Sequence, residues 1–266
     1  MTAAAGVFGR RSKERAIINR YIMLGVALVL AFALPPAVAR APVAASHTNE
    51  VRADLGMLAP RDFSIQSRPR GVRWLRFDTI VVNVGAADFR TYGHQDPADA
   101  TDKFAVVQQT WSGTVWVDHP TDAVMSYSGD GHDHWHVEEF QHWTIQNENA
   151  QVLSSGAKTG FCFWDNYRYG SAAPAYYHPD TTSACELDTD GTVPMGLSVG
   201  WGDEYPSTIA YQYIDITGLP NGKYKVTLVA DPHNHFTEAM ESNNVSWAWI
   251  NITRKGVTVL STGSGV

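Results

Sequence analysis

Apolar residues in this chain cluster in short runs of β-branched and aromatic side chains, which is strand patterning. Residues 71–84 (GVRWLRFDTIVVNV), 104–111 and 114–117 (TVWV) have this character, as do 135–145, 210–216, 223–230 and 245–252. In the last of these, W-A-W-I-N-I is apolar on both faces. Turn signals separate the runs: Gly85-Ala86-Ala87-Asp88, Ser128-Gly129-Asp130-Gly131 and Leu219-Pro220-Asn221-Gly222. Beyond residue 45 no segment sustains a 3.6-residue apolar period for more than two turns. The pattern therefore predicts an all-β chain built as a β-sandwich. Residues 42–60 read as a linker or a first short edge strand. Residues 163–200 hold few strand signals and many Tyr, Pro, Asp and Gly, and a loop of that length in a compact domain is usually functional.

The N-terminus has a different pattern. Basic residues run from Arg10 to Arg20, an apolar stretch follows from Tyr21 to Leu34, and Pro35-Pro36 then leads into Ala37-Val38-Ala39-Arg40-Ala41. That order is the pattern of a signal peptide, and its apolar part is shorter than the ~20 residues of a membrane span. Residues 1–45 are read as signal peptide and linker, and 46–266 as the working domain of a secreted protein whose only membrane contact is the leader. Arg10-Arg11 hints weakly at twin-arginine export. Without the leader the chain has 14 basic and 26 acidic residues, a net charge of −12, which argues against nucleic acid as a partner. Export to an oxidising space predicts a disulfide between the two cysteines, Cys162 and Cys185.

Gly131-His132-Asp133-His134-Trp135-His136 is the most informative segment. Imidazole suits copper, zinc, iron and nickel, and residues i, i+2 and i+4 of a strand share a face. A straight strand would hold the outer two Cα atoms ~13 Å apart, too far for one ion bound at ~2 Å. Convergence of His132, His134 and His136 requires a bent backbone, which Gly129 and Gly131 permit. His142 is a candidate partner behind the ligands; His233 and His235 form a weaker pair.

The triplet and its flank, H-D-H-W-H-V-E-E-F, resemble the copper motif of the lysyl oxidase family. Further segments resemble that family in order. They are Lys158-Thr159-Gly160-Phe161-Cys162, Gly196-Leu197-Ser198, Asp203-Glu204-Tyr205, Gln212-Tyr213-Ile214-Asp215-Ile216-Thr217, Pro220-Asn221-Gly222-Lys223-Tyr224 and Glu241-Ser242-Asn243-Asn244. Together they cover roughly residues 70 to 255. The C-terminal strand–loop–strand also resembles an immunoglobulin-like hairpin. Gly131 and Trp201 stand where the animal enzymes have cysteines, so their disulfide frame is missing while the redox residues are kept. That combination fits a bacterial relative.

The resemblance implies copper on the three histidines and a covalent lysine tyrosylquinone made from Lys158 and Tyr205. It implies oxidative deamination of primary amines, either small amines or lysine side chains of proteins, by molecular oxygen, giving aldehyde, hydrogen peroxide and ammonia. Asp203 is the candidate base. Two other readings of the residues stay open: a non-enzymatic secreted metal-binding β-sandwich, and a zinc hydrolase with Glu138 or Glu139 as base.

Overall fold

The computed structural model describes residues 50–95, 102–128, 133–158, 160–171, 174–177 and 184–266. The expectations placed on the leader, on Gly129, on Gly131 and on His132 lie outside these residues.

The described residues form three antiparallel sheets, and the expected all-β fold is what the chain adopts. The first sheet centres on Arg73–Asn83. Leu55–Met57, Arg61–Ser67, Trp201–Tyr205 and Ile214–Asp215 pair with that strand, and Tyr167–Arg168 extends the sheet beyond Trp201–Tyr205. The second runs in the order Gly160–Phe161, Trp135–Glu138, Trp116–Tyr127, Phe104–Trp111, Phe89–Gln95, Thr192–Leu197. The third runs Gly256–Gly263, Val245–Thr253, Gly222–Ala230, Gln141–Gln146, Val152–Ser155. Alternation along Gly222–Ala230 and Val245–Thr253 buries every second residue and pairs the two strands as the expected hairpin.

One aromatic-rich core joins the sheets. Phe77 packs edge-on against Trp143, and Trp143 against Phe161; Phe140 touches Phe89, Phe163 and Phe236. Burial of such a side chain contributes about 1.5–3 kcal/mol.

Four expectations need correction. The run 135–145 is two strands, because Glu139 adopts a left-handed φ of 55°. The turn drops Phe140 into the core and moves the chain from the second sheet to the third. The run 210–216 is strand only at Ile214–Asp215, because Tyr211 has φ 58° and Gln212 is buried with its amide donating to Phe77 O at 3.1 Å. The stretch 163–200 is not all loop: Tyr167–Arg168 and Thr192–Leu197 are strands. The run 114–117 is the beginning of a longer strand, Trp116–Tyr127, which carries Pro120 at an irregularity in its pairing with Phe104–Trp111.

Candidate functional site

The Trp135–Glu138 strand begins at a bend. Asp133 has φ 44°, its carbonyl accepts the Tyr127 hydroxyl at 2.7 Å, and Ser128 N donates to His134 O at 2.9 Å. The bend turns the half-buried His134 toward the buried His136. Their Nε2 atoms stand 3.0 Å apart, with ring planes at 86° and centroids at 4.7 Å. Two imidazole nitrogens on one ion, each bound at ~2.0–2.1 Å, would stand about 2.9–3.4 Å apart between square and tetrahedral angles. The pair therefore has the spacing of two ligands to one metal, and imidazole donors suit copper. Among the described residues no group of three His, Cys, Asp or Glu forms a metal cluster.

Gly160 pairs with Glu138, and Phe161 with Val137. A Cβ on Gly160 would lie 2.9 Å from His136 Cβ and 3.0 Å from its Nδ1, so only glycine lets this strand pass so close to the ring. The same arm brings in Lys158, which is buried. Its Nζ lies 5.2 Å from the Phe161 ring centroid and 5.0 Å from that of Tyr205. Tyr205 comes from the first sheet, paired with Thr79, and packs edge-on against Phe161 at 5.3 Å. Its hydroxyl donates to the Cys162 carbonyl and lies beside the Asp203 carboxylate.

Asp203 is buried, on the same face of its strand as Tyr205. Burial holds its carboxyl well above the usual carboxylate range, partly offset by Tyr205, Asn166 and Lys158. Burial, then the charge of Asp203, pushes the Tyr205 phenol well above its ordinary value. Asn166 donates to Asp203 Oδ1 at 2.6 Å and accepts from Glu204 N at 2.6 Å, which fixes the strand that carries both residues.

A cleft of about 520 Å³ opens beside His136 and Lys158, lined by Ser126, His136, Glu138, Lys158, Gly160 and Tyr211, among others. Glu138 pairs with Lys103 at 2.7 Å and Glu139 with His233 at 3.0 Å. His142 sits exposed in the third sheet, and His233 lies 5.4 Å from His235, ring to ring. The expected Cys162–Cys185 disulfide is present, with Cα atoms 5.8 Å apart. It ties the arm that follows Lys158 to the strand of His136, because Trp135 N donates to Cys185 O at 2.9 Å. Sequence reasoning missed Asn166, Ser126 and Tyr211. None of them lies in a motif: pairing with His136 brings Ser126 to the cleft, Tyr211 reaches it from a turn with left-handed φ, and Asn166 acts on Asp203.

The lysyl oxidase family model matches residues 119–262 of the chain. Lysyl oxidase homolog 2 of Gallus gallus is 28% identical over 180 residues, which cover 65% of this chain and 17% of the relative. Lysyl oxidase homolog 4 of Homo sapiens is 28% identical over 174 residues, covering 65% and 18%, and human homolog 2 is 27% identical with coverage of 65% and 17%. The chain thus spans less than a fifth of the length of these curated relatives. The matched region contains the paired imidazoles, the buried lysine and the buried tyrosine, and this chain belongs to the lysyl oxidase family.

Proposed function

We propose that the chain is a secreted copper amine oxidase that converts primary amines, free or as lysine side chains of proteins, to aldehydes. Molecular oxygen is the oxidant, and hydrogen peroxide and ammonia are released. His132, His134 and His136 would hold the copper, and Lys158 and Tyr205 would supply a lysine tyrosylquinone. When bound, copper and quinone supply the redox chemistry: oxidation of the phenol and an electron sink for the amine. The observation that carries this reading is the buried Lys158 ammonium 5.0 Å from the Tyr205 ring, on an arm packed against His136.

The chain's own residues have separable roles. Phe161 and the Cys162 carbonyl orient the Tyr205 ring and hydroxyl. Lys158 approaches that ring as the nucleophile. Asp203, beside the hydroxyl, is the proposed base, taking a proton from the phenol and, in turnover, from the α-carbon of the amine. Glu138 and Glu139 at the cleft favour a cationic substrate. The signal-peptide pattern and the disulfide support export.

The test is peroxide release from copper-loaded protein with a diamine or a lysine peptide. Tyr205→Phe is expected to abolish release while copper binding survives. Unchanged release would sink the proposal. A covalent Lys158–Tyr205 peptide detected by mass spectrometry would support it independently of turnover.

A further inference from the structure

Tyr211 lies in the turn between Trp201–Tyr205 and Ile214–Asp215, and it lines the cleft that opens beside His136 and Lys158. Its φ of 58° is left-handed, a conformation that a bulky side chain rarely takes. It is also 45% exposed, and among the described residues its hydroxyl makes no hydrogen bond and its ring no stacking contact. Tyr213, two residues on, belongs instead to the packing: it stacks on Trp74 at 4.0 Å, with the Arg76 guanidinium 5.6 Å from its ring centroid.

The strained turn is held from both sides. Before it, Arg76 Nη1 donates to the carbonyls of Ser207 and Ile209 at 2.6 and 3.1 Å. After it, the buried Gln212 donates its amide to Phe77 O and Thr79 Oγ1 at 3.1 and 3.2 Å, and Tyr213 N donates back to Tyr211 O at 2.8 Å. Ala157 N donates to Tyr213 O at 3.0 Å, which fixes the turn to the segment that carries Lys158. These bonds call for a left-handed residue at this position but not for an aromatic one, and glycine or asparagine would meet the backbone demand with less strain. An anchored outlier of this kind points to use: a tyrosine kept half-exposed in the wall of a cleft has its ring available to what enters.

We propose that Tyr211 is the specificity-determining residue of this cleft, selecting amines on a long unbranched aliphatic stem over short ones by packing its ring against the methylenes. The inference rests on the reading of the His136–Lys158 cleft as the amine site. Among the residues of the wall, Ser126, Ser128, Glu138 and Glu139 supply hydroxyls and carboxylates, whereas Tyr211 and Ala157 supply apolar surface. Carboxylates answer the charge of an ammonium and are indifferent to the length of its stem. Apolar burial is the reverse: it scales with the area removed from water, and each covered methylene adds to it. Ala157 offers a single methyl group, so discrimination by stem length falls to the ring of Tyr211. A lysine side chain carries its amine on a flexible four-carbon stem, which places peptidyl lysine and long diamines in the selected class and methylamine and ethylamine outside it.

The experiment uses two ligand series on the full, copper-loaded chain. One is the n-alkylamines from propyl to hexyl, followed by peroxide release. The other is the n-alkylguanidines of the same lengths, which are not primary amines, followed by isothermal titration. On the parent, kcat/KM and affinity are each expected to rise about two- to fourfold per added methylene, the range from half to full burial of that group. Tyr211→Asn keeps a residue suited to left-handed backbone and should melt no lower than the parent, yet flatten both slopes; Tyr211→Phe should retain them. A flat series on the parent, or slopes that persist in Tyr211→Asn, overturns the proposal. Slopes lost equally in Tyr211→Phe would move recognition to the hydroxyl and overturn packing by the ring. If no amine yields peroxide while the guanidine slope is present and is lost in Tyr211→Asn, the oxidase reading fails and the aliphatic subsite at Tyr211 stands.

Discussion

Gly160 shows how little space the candidate centre has. A methyl group there would press on His136 at 2.9–3.0 Å, and the opposing atoms are a Cβ and a ring nitrogen fixed in a strand. Gly160→Ala is therefore expected to weaken copper binding by roughly 10–100-fold, the usual cost of disturbing the groups that orient a ligand, while far-UV circular dichroism stays unchanged; isothermal titration would measure it. Asp203 gives a second residue-scale expectation. Its carboxyl is held well above the usual carboxylate range by burial. If it is the base, kcat should rise with pH as it ionises, and Asp203→Asn should lower kcat by about 10²–10⁴ and flatten that rise with little change in KM. A variant with the parental pH profile would remove Asp203 from the chemistry. His134 and His136 stood out at this scale by their spacing, and the bend at Asp133 brings their rings together. Lys158 and Tyr205 were not, since neither has a local signature, and only the resemblance singled them out.

Strands with strong composition were legible as elements, and 104–111 matches Phe104–Trp111 at both ends. What composition missed was decided by partners: Gly256–Gly263 is a strand because it pairs with Val245–Thr253, and Trp201–Tyr205 because it lies beside Arg73–Asn83. Breaks were hidden for a related reason. Glu139 and Tyr211 take left-handed φ without being glycine, so no turn residue announces them. The disulfide was predicted from compartment chemistry, and its position in the fold joins the arm behind Lys158 to the strand of His136. Replacing Cys162 and Cys185 together by serine is expected to cost about 3 kcal/mol, from the entropy of the 23-residue loop it closes. That corresponds to a thermal midpoint about 6–12 °C lower for a domain of this size. Scanning calorimetry would check it, and an unchanged midpoint would mean that packing alone holds the arm.

Several buried carboxylates set the pH response of the whole molecule. Glu238 ties the first strand to the C-terminal hairpin, accepting from Leu55 N at 2.5 Å and from Asn244 Nδ2 at 2.8 Å, and burial pushes its carboxyl up to about 8. Burial likewise raises Asp231, Asp88 and Asp203. A carboxyl whose folded value is above its unfolded value is protonated in both states below the unfolded value, and there its contribution to stability is complete. As pH rises further the unfolded chain ionises first, so unfolding releases protons and stability falls until the folded group ionises too. For Glu238 that window runs from 4.5 to about 8. The exposed Asp190, lowered by its bonds to Thr192, acts in the opposite direction but lies outside this window. The folded domain is therefore expected to resist urea better at pH 5 than at pH 8. The comparison belongs in chelator-treated buffer, because copper on the histidines would add a pH dependence of its own. A midpoint that is flat, or higher at pH 8, would show that these carboxylates are ionised in the folded chain, with a counter-charge supplied where burial alone gives none.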